Sequence, residues 1–392
     1  MTGAEASGAV IHGARKLDAD GQIDDFWLVS SEDRITAVGH GDGWRQHVEG
    51  RNVTDAGGGW LTPGFIDLHG HGGGGHGFDN GPEEILAGLA THRAHGTTRS
   101  VISLVANPLA QLRESLSTIA DLTDLDPLIL GSHLEGPFLA IERRGAHDPA
   151  FIRDPQPEML EELIGAARGT LRQITIAPER PNALEAIEVL LEAGVIVGIG
   201  HTEADYEQTK RAFEVGARLL THTFNAMNGI HHRQPGPIIA AFENHDVTLE
   251  LILDGLHVHP EVARLAFRSA PGRVALITDA MAAAGSTDGD YRLGSLNVTV
   301  TDGLAVLSGT NSIAGSTLTQ DAALRIAVTQ SGIEPRAAVE ALTATPATAL
   351  GLSHEFGHLR PGFAADAVLL DHEWAVQQVW AAGTALPAGS RE

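Results

Sequence analysis

The sequence predicts an α/β protein, a (β/α)8 TIM-like barrel accompanied by a small β-sandwich domain that is built from both termini. Through the middle of the chain, eight short apolar runs alternate with helical patterns, as in consecutive βα units. Short β-rich segments flank this middle at both ends. The length of 392 residues suits a barrel of about 250 residues plus a smaller companion domain.

The β-rich ends open and close the chain. Near the N-terminus, AVIHGARKL, FWLVSSEDRITAVG and NVTDAGGG show the alternation and the turn residues that favour strands. Near the C-terminus, HLRPGFAADAVLLDHEWAVQQVWAAG favours short strands again. We therefore predict a small β domain from residues 1–58 and 355–392, and a barrel domain over residues 59–354.

The barrel strands are predicted from eight apolar segments. Their bounds are 64–69, 98–105, 128–134, 172–177, 195–200, 218–222, 247–253 and 273–278. Helical patterns such as PEMLEELIGAARG and ALEAIEVLLEAG lie between most of them. After the eighth strand, YRLGSLNVTVTDGLAVLSGT predicts a hairpin-like insertion with a turn at Asp302 and Gly303. The glycine-rich segment HGGGGHG is expected to be a mobile loop.

Composition and charge exclude several classes of function. The chain has 26 basic and 50 acidic residues, a net charge of -24, which argues against general binding to nucleic acid or anionic membranes. Cysteine is absent, so any metal must be held by histidines and carboxylates. The N-terminal residues lack the pattern of a signal peptide, and no apolar run of about 18 residues occurs, so a cytoplasmic protein is expected.

Metal-binding residue types occur at the ends of five predicted strands. They are His69 and His71 at strand one, Glu135 at strand three, His201 at strand five, His222 at strand six and Asp279 at strand eight. The carboxyl ends of barrel strands share one rim, so these side chains should converge there. Each residue alone has an ordinary explanation, such as a core histidine or a helix N-cap. The set as a whole predicts a zinc or iron site with an open position for water.

Such a site predicts hydrolytic chemistry. A bound metal lowers the pKa of water toward about 7, which makes hydroxide available at neutral pH. A carboxylate such as Asp279 can then take the proton of that water and pass it to a leaving group.

Longer motifs resemble those of the amidohydrolase superfamily. PGFIDLHGHG and the distant PGFAADAVLLD are similar to segments of that superfamily. HLEGPFL, GHTEADYEQ, THTFNAMNGIHHRQPG, DGLHV, TDAMAAAG and SIAGSTLT resemble its deacetylases that act on N-acetylglucosamine 6-phosphate. The resemblance covers roughly residues 60 to 370. It implies metal-dependent hydrolysis of the acetamide of that sugar phosphate, giving D-glucosamine 6-phosphate and acetate.

The resemblance also implies roles for the metal-binding residues. Glu135, His201 and His222 correspond to metal ligands, and Asp279 corresponds to the general acid/base. In members with two metals, Glu135 would bridge the ions, with His69, His71 and Asp279 on one and His201 and His222 on the other. The implied cofactor is one or two divalent ions per subunit, with zinc or iron favoured over manganese or cobalt.

For the phosphorylated amino sugar, the resemblance implies a further set of contacts. These substrate-binding residues are Ala146, Asn225, Ala226, Arg233, His257, Ile313, Ala314 and Gly315. Backbone N–H groups after Asn225 and the fork-shaped guanidinium of Arg233 suit a phosphate dianion. The family completes its phosphate site across a homodimer, so Arg233 or His257 could serve the pocket of a neighbouring copy.

Several alternatives remain open. The fourth predicted strand, RQITIAPE, holds no lysine, which disfavours amidohydrolases that bridge two metals with a carboxylated lysine. An adenosine-deaminase-like reaction shares the HxH pattern, but the β-rich ends and Glu135 weigh against it. Deacetylation of N-acetylgalactosamine 6-phosphate or of an N-acyl amino acid is a close alternative. A non-catalytic sugar-phosphate sensor is an alternative of a different class.

Overall fold

The computed structural model describes residues 8–387, so the predicted domain ends at 1–7 and 388–392 lie outside the described residues. The chain divides into two compact units. One comprises residues 67–91 and 100–319, and the other the described parts of 1–66, 92–99 and 320–392. The domain bounds at 58/59 and 354/355 remain a prediction.

The secondary structure follows the alternation that the sequence predicts. The strands are β1 (Ala9–Asp18), β2 (Gly21–Ser31), β3 (Arg34–His40), β4 (Asn52–Asp55), β5 (Trp60–Pro63), β6 (Phe65–Gly70), β7 (Gly72–Gly73), β8 (His76–Gly77), β9 (Thr97–Leu104), β10 (Ile129–Glu135), β11 (Leu171–Ile176), β12 (Ile196–Ile199), β13 (Leu219–Leu220), β14 (Thr248–Ile252), β15 (Val274–Ile277), β16 (Gly289–Leu293), β17 (Leu296–Thr301), β18 (Leu304–Leu307), β19 (Ala367–Leu370), β20 (Val376–Ala381) and β21 (Thr384–Ala385). The helices are α1 (Pro82–Ala94), α2 (Leu109–Leu125), α3 (Pro157–Ala167), α4 (Ala183–Glu192), α5 (Tyr206–Val215), α6 (Gly236–Glu243), α7 (Pro260–Ser269), α8 (Gln320–Thr329), α9 (Pro335–Leu342) and α10 (Ala344–Ala349).

The barrel consists of β6 and β9 to β15, all close to their predicted positions. The strands neighbour one another in chain order from β6 to β15. Two backbone hydrogen bonds join the ends of this sheet: the Asp279 amide donates to the His69 carbonyl (2.8 Å), and the His71 amide donates to the Ala280 carbonyl (2.7 Å). The predicted (β/α)8 barrel is therefore confirmed.

Local sequence explains where these elements begin and end. All eight residues of β9 are buried, as expected for a strand that is covered on both faces. Helix α5 begins with a capping box, in which the Asp205 carboxylate and the Gln208 side chain bind each other's backbone amides. Pro260 occupies the first turn of α7, where its missing N–H costs no helical hydrogen bond.

The insertion after the eighth barrel strand is larger than the predicted hairpin. It is a three-stranded antiparallel sheet, in the order β16, β17, β18. Asp302 and Gly303 form the turn between β17 and β18, with φ values of 51° and 74°. This left-handed pair is the geometry of a type I′ hairpin turn. Leu293 and Val298 from this sheet pack in one cluster with Met281.

The glycine-rich segment after β6 is more regular than the expected loop. β7 pairs with β8, and the amides of Gly74 and Gly75 donate to the carbonyls of Ala284 and Ala282, each at 2.7 Å. These bonds explain how four consecutive glycines hold a defined path.

The second unit contains the predicted small β domain. Its strands run in the order β21, β20, β19, β5, β1, β2, β3, with β4 paired to β1, so both chain ends contribute. Phe26, Leu28, Leu61 and Trp380 lie in its core. No helix among residues 8–387 combines the length and the apolar character that a membrane span requires.

Candidate metal centre and substrate pocket

Glu135 lies at the centre of the predicted metal-binding set. It is the last residue of β10 and is only 4% exposed. Its Oε1 atom lies 2.9 Å from His201 Nε2 and 3.0 Å from His222 Nε2. The two imidazole nitrogens are themselves 2.9 Å apart. The structure thus brings together the residues expected for one of the two ions.

The other predicted group also surrounds this carboxylate, and His69 Nε2 lies 3.5 Å from Glu135 Oε1. His71 Nε2 is 3.2 Å from Glu135 Oε2 and 3.3 Å from Asp279 Oδ1. His69 Nε2 is 3.1 Å from His71 Nε2 and 3.5 Å from Asp279 Oδ1. His69, His71, Glu135 and Asp279 each offer a ligand atom within 4.8 Å of the others, and all four are buried.

The backbone is strained at three of these residues. His201, His222 and Asp279 have positive φ values of 47°, 26° and 47°. Each lies two positions after the last residue of its strand. Non-glycine residues in this left-handed region cost free energy and concentrate at functional sites. With this backbone conformation, the side chains of all three residues point toward the Glu135 carboxylate region.

The donor chemistry fits a bound cation. His201 Nδ1 lies 2.7 Å from the Arg143 carbonyl, which can only accept, so this nitrogen carries the proton. In neutral His201, the Nε2 lone pair then faces the Glu135 carboxylate and a second imidazole nitrogen. Such an arrangement repels unless a positive charge lies between the atoms. Four ligands at about 2.1 Å around a tetrahedral zinc lie roughly 3.4 Å apart, close to the spacings among His69, His71 and Asp279.

The pKa shifts in this cluster also indicate that it favours positive charge. Burial lowers the pKa of His71, but hydrogen bonds and charge from Asp279 and Glu135 outweigh it and raise the pKa to about 9. Burial raises the pKa of Glu135, but the nearby imidazoles of His69, His147 and His201 bring it well below its usual value. Burial likewise raises the pKa of Asp279, and His69 and His71 reverse the shift, so the net direction is downward.

Three buried or partly buried residues of the site were not predicted from the sequence. His147 Nε2 lies 3.2 Å from Glu135 Oε2, and its Nδ1 accepts a hydrogen bond from the Ala106 amide (3.1 Å). Arg143 lines the pocket, and Glu250 contacts His69 from beneath it. His147 and Arg143 lie on the loop after β10, whose path no strand periodicity reveals.

The candidate metal-binding cluster opens into a pocket of about 350 Å³. Of the predicted substrate-binding residues, six line it: Ala146, Asn225, Ala226, His257, Ile313 and Gly315. Ala314 lies between the last two but is fully buried and does not line the pocket. Arg233 is exposed and lines a separate pocket with Tyr206 and Gln234. Its proposed contact with a neighbouring copy's substrate remains a prediction.

Comparisons with known proteins agree with this geometry. A model of the amidohydrolase family matches residues 60–386. N-acetylgalactosamine-6-phosphate deacetylase of Escherichia coli O157:H7 is 37% identical over 378 residues, covering 95% of this chain and 98% of that protein. N-acetylglucosamine-6-phosphate deacetylase of Vibrio furnissii is 35% identical, covering 82% of each chain.

A solved structure is similar over almost the whole chain. A variant of N-acetyl-D-glucosamine-6-phosphate deacetylase from Mycobacterium smegmatis, in complex with N-acetyl-D-glucosamine 6-phosphate, is 42% identical to this chain. The TM-score is 0.91, and the match covers 97% of this chain and 99% of that one.

Proposed function

The chain belongs to the amidohydrolase family, and from this membership we propose that it is a metal-dependent deacetylase of N-acetyl-D-glucosamine 6-phosphate. The reaction hydrolyses the acetamide to D-glucosamine 6-phosphate and acetate. The observation that carries the proposal is the buried Asp279 carboxylate, which lines the same pocket as the converging imidazoles and Glu135. The names and the sequence identities of the relatives supply the substrate class.

The metal would be held by two groups that share Glu135. His69, His71 and Asp279 form the first group, and the second is completed by His201 and His222, with His147 beside them. A bound divalent cation supplies Lewis acidity, which polarises an amide carbonyl and lowers the pKa of water. Nitrogen and carboxylate donors favour zinc or iron, and manganese or cobalt could also bind.

Asp279 moves the proton in this proposal. Its pKa is lowered by His69 and His71 despite burial, so the carboxylate is ionised at neutral pH. Because Oδ1 faces the imidazoles of the first metal group, the proton from water would be accepted at Oδ2. The deprotonated water oxygen forms a bond to the acetamide carbonyl carbon, and Asp279 then returns the proton to the amide nitrogen as the C–N bond breaks, which produces the free amine and acetate. The left-handed backbone at Asp279 directs this carboxylate toward the first metal group.

The rim of the pocket offers groups for the phosphate. Arg143 is the only arginine or lysine among the described residues that line it. Phe224 and Ala226, on either side of Asn225, have positive φ values of 83° and 50°. Left-handed residues occur in turns whose backbone N–H groups face an anion. The Asn225 amide donates to the His222 carbonyl (2.9 Å), so the N–H groups after Asn225 are the candidate donors. On a chain of net charge -24, these local donors would hold the dianion.

We further propose that the protein works as a homodimer. Arg233 lies outside the substrate pocket of its own chain, and an exposed guanidinium there could reach the pocket of a second copy. The alternative is that Arg143 alone supplies the cationic contact. Comparing variants of the two arginines distinguishes these arrangements, as set out in the Discussion.

The decisive experiment is acetate release after chelation. Chelated protein should release no acetate from N-acetylglucosamine 6-phosphate, and zinc, iron, manganese or cobalt should each be tested for restored activity. N-acetylgalactosamine 6-phosphate belongs in the same assay, because one of the similar proteins carries the name of that activity. If N-acetylgalactosamine 6-phosphate were turned over faster than N-acetylglucosamine 6-phosphate, it would become the proposed substrate. The proposed enzymatic activity would be refuted if the protein bound sugar phosphate but released acetate from neither substrate with any of these metals.

A further inference from the structure

A buried carboxylate on the seventh barrel strand has no place in the proposed chemistry. Glu250 lies in the middle of β14 and is 0% exposed. It does not line the substrate pocket, and it belongs to neither group of candidate metal ligands. A carboxylate is among the most costly groups to bury, so its contacts should account for its position.

One oxygen of Glu250 faces a proposed metal ligand. Its Oε2 atom lies 3.2 Å from His69 Nδ1, on the side of the ring away from the metal-binding cluster. A carboxylate accepts hydrogen bonds and cannot donate them when ionised, so the proton of this pair lies on Nδ1. In the neutral ring, His69 Nε2 then keeps a lone pair directed at His71, Glu135 and Asp279.

The other oxygen of Glu250 is fixed independently. The Gln173 side chain, on β11, donates from Nε2 to Glu250 Oε1 (3.2 Å) and to the Leu68 carbonyl (3.1 Å). The Glu250 carbonyl accepts from the Thr223 amide at 2.7 Å, which connects the strand to the loop that carries His222. Both carboxylate oxygens therefore have assigned partners, and the orientation of the carboxylate is determined by two other strands.

We propose that Glu250 is a positioning residue of the metal centre, which fixes the tautomer and the orientation of His69 so that Nε2 is available to a divalent cation. The inference deepens the proposed function and rests on it for the identity of the metal site. Outer carboxylates of this kind raise the basicity of a ligand histidine, and their loss typically weakens metal binding 10–100-fold. His71 differs from His69, since its buried Nδ1 has no hydrogen-bond partner among the described residues.

The test measures zinc affinity directly. Metal-free protein would be titrated with zinc against a chromophoric chelator, and zinc per chain would be counted by elemental analysis. Glu250→Leu removes the acceptor and should weaken zinc binding about 10–100-fold. Glu250→Asp keeps the charge but shortens the reach by one methylene, so its zinc affinity should also fall, by a smaller factor. This variant carries the test if the leucine variant does not fold.

A matched control lies on the same stretch of chain. Asp254, four residues further on, contacts His257 instead of a metal ligand, with Asp254 Oδ2 at 2.7 Å from His257 Nδ1. Asp254→Asn should therefore leave zinc affinity within about twofold of the parent protein. Circular dichroism of the metal-free variants checks that each retains its secondary structure.

Two results would overturn the inference. One is zinc affinity in folded Glu250→Asp and Glu250→Leu that equals that of the parent. The other is an equal loss in Asp254→Asn, because that would indicate general loosening of the barrel. The zinc titration does not depend on the substrate. If the parent protein released no acetate but the Glu250 variants still bound zinc more weakly, the proposed function would be refuted and this inference would stand.

Discussion

The floor and the rim of the substrate pocket are built differently. The floor, defined as the six proposed metal ligands, is almost closed to solvent, from 0% exposure at His69 to 8% at Asp279. The rim, defined as Arg143, Asn225, His257 and Ile313, is more open, and Ile313 is 37% exposed. Floor residues lie in barrel strands or within two positions of them, whereas the rim residues lie on connecting segments. We therefore propose that the reaction chemistry is tied to the barrel, and substrate selection to segments that can vary without disturbing it.

Strand β14 and the turn that follows it show the same contrast on a small scale. Glu250 is fully buried and contacts Nδ1 of His69 in the floor. Asp254 lies in the turn and contacts Nδ1 of His257 in the rim. Both carboxylates hold the Nδ1 proton of their imidazole. If floor and rim are functionally separate, substitutions in the floor should alter metal binding or kcat. Substitutions in the rim should alter KM.

The largest effect is expected at the floor, for Asp279→Asn. The amide cannot accept the proton from water at neutral pH, so kcat should fall by about 10²–10⁴, the usual contribution of a general acid or base. Acetate release under saturating substrate is the measurement. Zinc should still bind the group of Glu135, His201 and His222, to which Asp279 does not belong, so the variant can be assayed in its zinc-loaded form. Near-normal turnover in a zinc-loaded variant would remove Asp279 from its proposed role.

A smaller effect is expected at the rim, for Arg143→Ala. A hydrogen bond to a charged group contributes about 1.5–3 kcal/mol, so kcat/KM should fall roughly 10–100-fold, mainly through KM. Arg113→Ala is the control for lost charge, since Arg113 forms an exposed ion pair with Glu162 on the barrel's outer helices. A fall in kcat with unchanged KM would place Arg143 with the chemistry instead of with recognition.

Arg233→Ala sharpens the same comparison. If a second copy completes the rim, this variant should raise KM at least as much as Arg143→Ala does. Mixing the Arg233 variant with a metal-site variant such as His201→Ala should then restore part of the activity, because each mixed dimer contains one intact pocket. Unchanged KM in Arg233→Ala would assign the phosphate contact to Arg143 and to the backbone around Asn225.

The division between floor and rim also explains what the sequence could predict. Parallel strands bring their carboxyl ends to one edge, so Glu135, His201 and His222 could be placed together from strand positions alone. The left-handed backbone at His201, His222 and Asp279 could not be predicted, because this conformation normally signals glycine or asparagine.

Rim residues depend on loop paths, which follow no periodicity. From its motif, Arg233 is predicted as a phosphate donor in this pocket or in that of a neighbouring copy, and this stays a prediction. Arg143 is the arginine that lines the pocket of this chain. His147 could not be predicted, because it lies twelve positions after Glu135 on a long connection that returns to the same carboxylate. The side chain of Ala314 lies in an apolar cluster with Leu293 and Val298, and its predicted contact with substrate stays a prediction.

The next smaller effect is a change of pH dependence in Asp254→Asn. Burial lowers the pKa of His257, but the hydrogen bond and the charge of Asp254 raise it by more, so the net pKa lies above 6.5. His257 thus stays protonated to higher pH and offers a positive Nε2–H donor to an anionic substrate. Without the carboxylate the pKa should fall, so the alkaline limb of kcat/KM should move to lower pH.

The sign of that shift is the test, read from kcat/KM between about pH 5 and 9 at saturating zinc. The loss at pH 7 should be about tenfold or less, since a charged hydrogen bond is weakened and not removed. Toward lower pH, as His257 becomes protonated in both proteins, the two kcat/KM values should converge. An unchanged alkaline limb would show that another group controls it.

The smallest effect is expected in the three-stranded sheet that supports part of the rim. The Ala314 amide donates to the Ala305 carbonyl on β18 (3.1 Å), so the turn at Gly303 helps to hold the segment that carries Ile313. Gly303 has a φ of 74°, and an added Cβ would meet only Thr317 Oγ1 at 3.6 Å, so strain in the backbone dominates over crowding.

Gly303→Ala should lower the free energy of unfolding by about 1 kcal/mol and raise KM less than threefold, with kcat unchanged. Gly165 is an exposed residue of helix α3 with open space around it, so Gly165→Ala should shift stability the opposite way, because alanine favours a helix. Urea unfolding of both variants measures the difference, and a fall in kcat for Gly303→Ala would mean that strain in the rim reaches the floor.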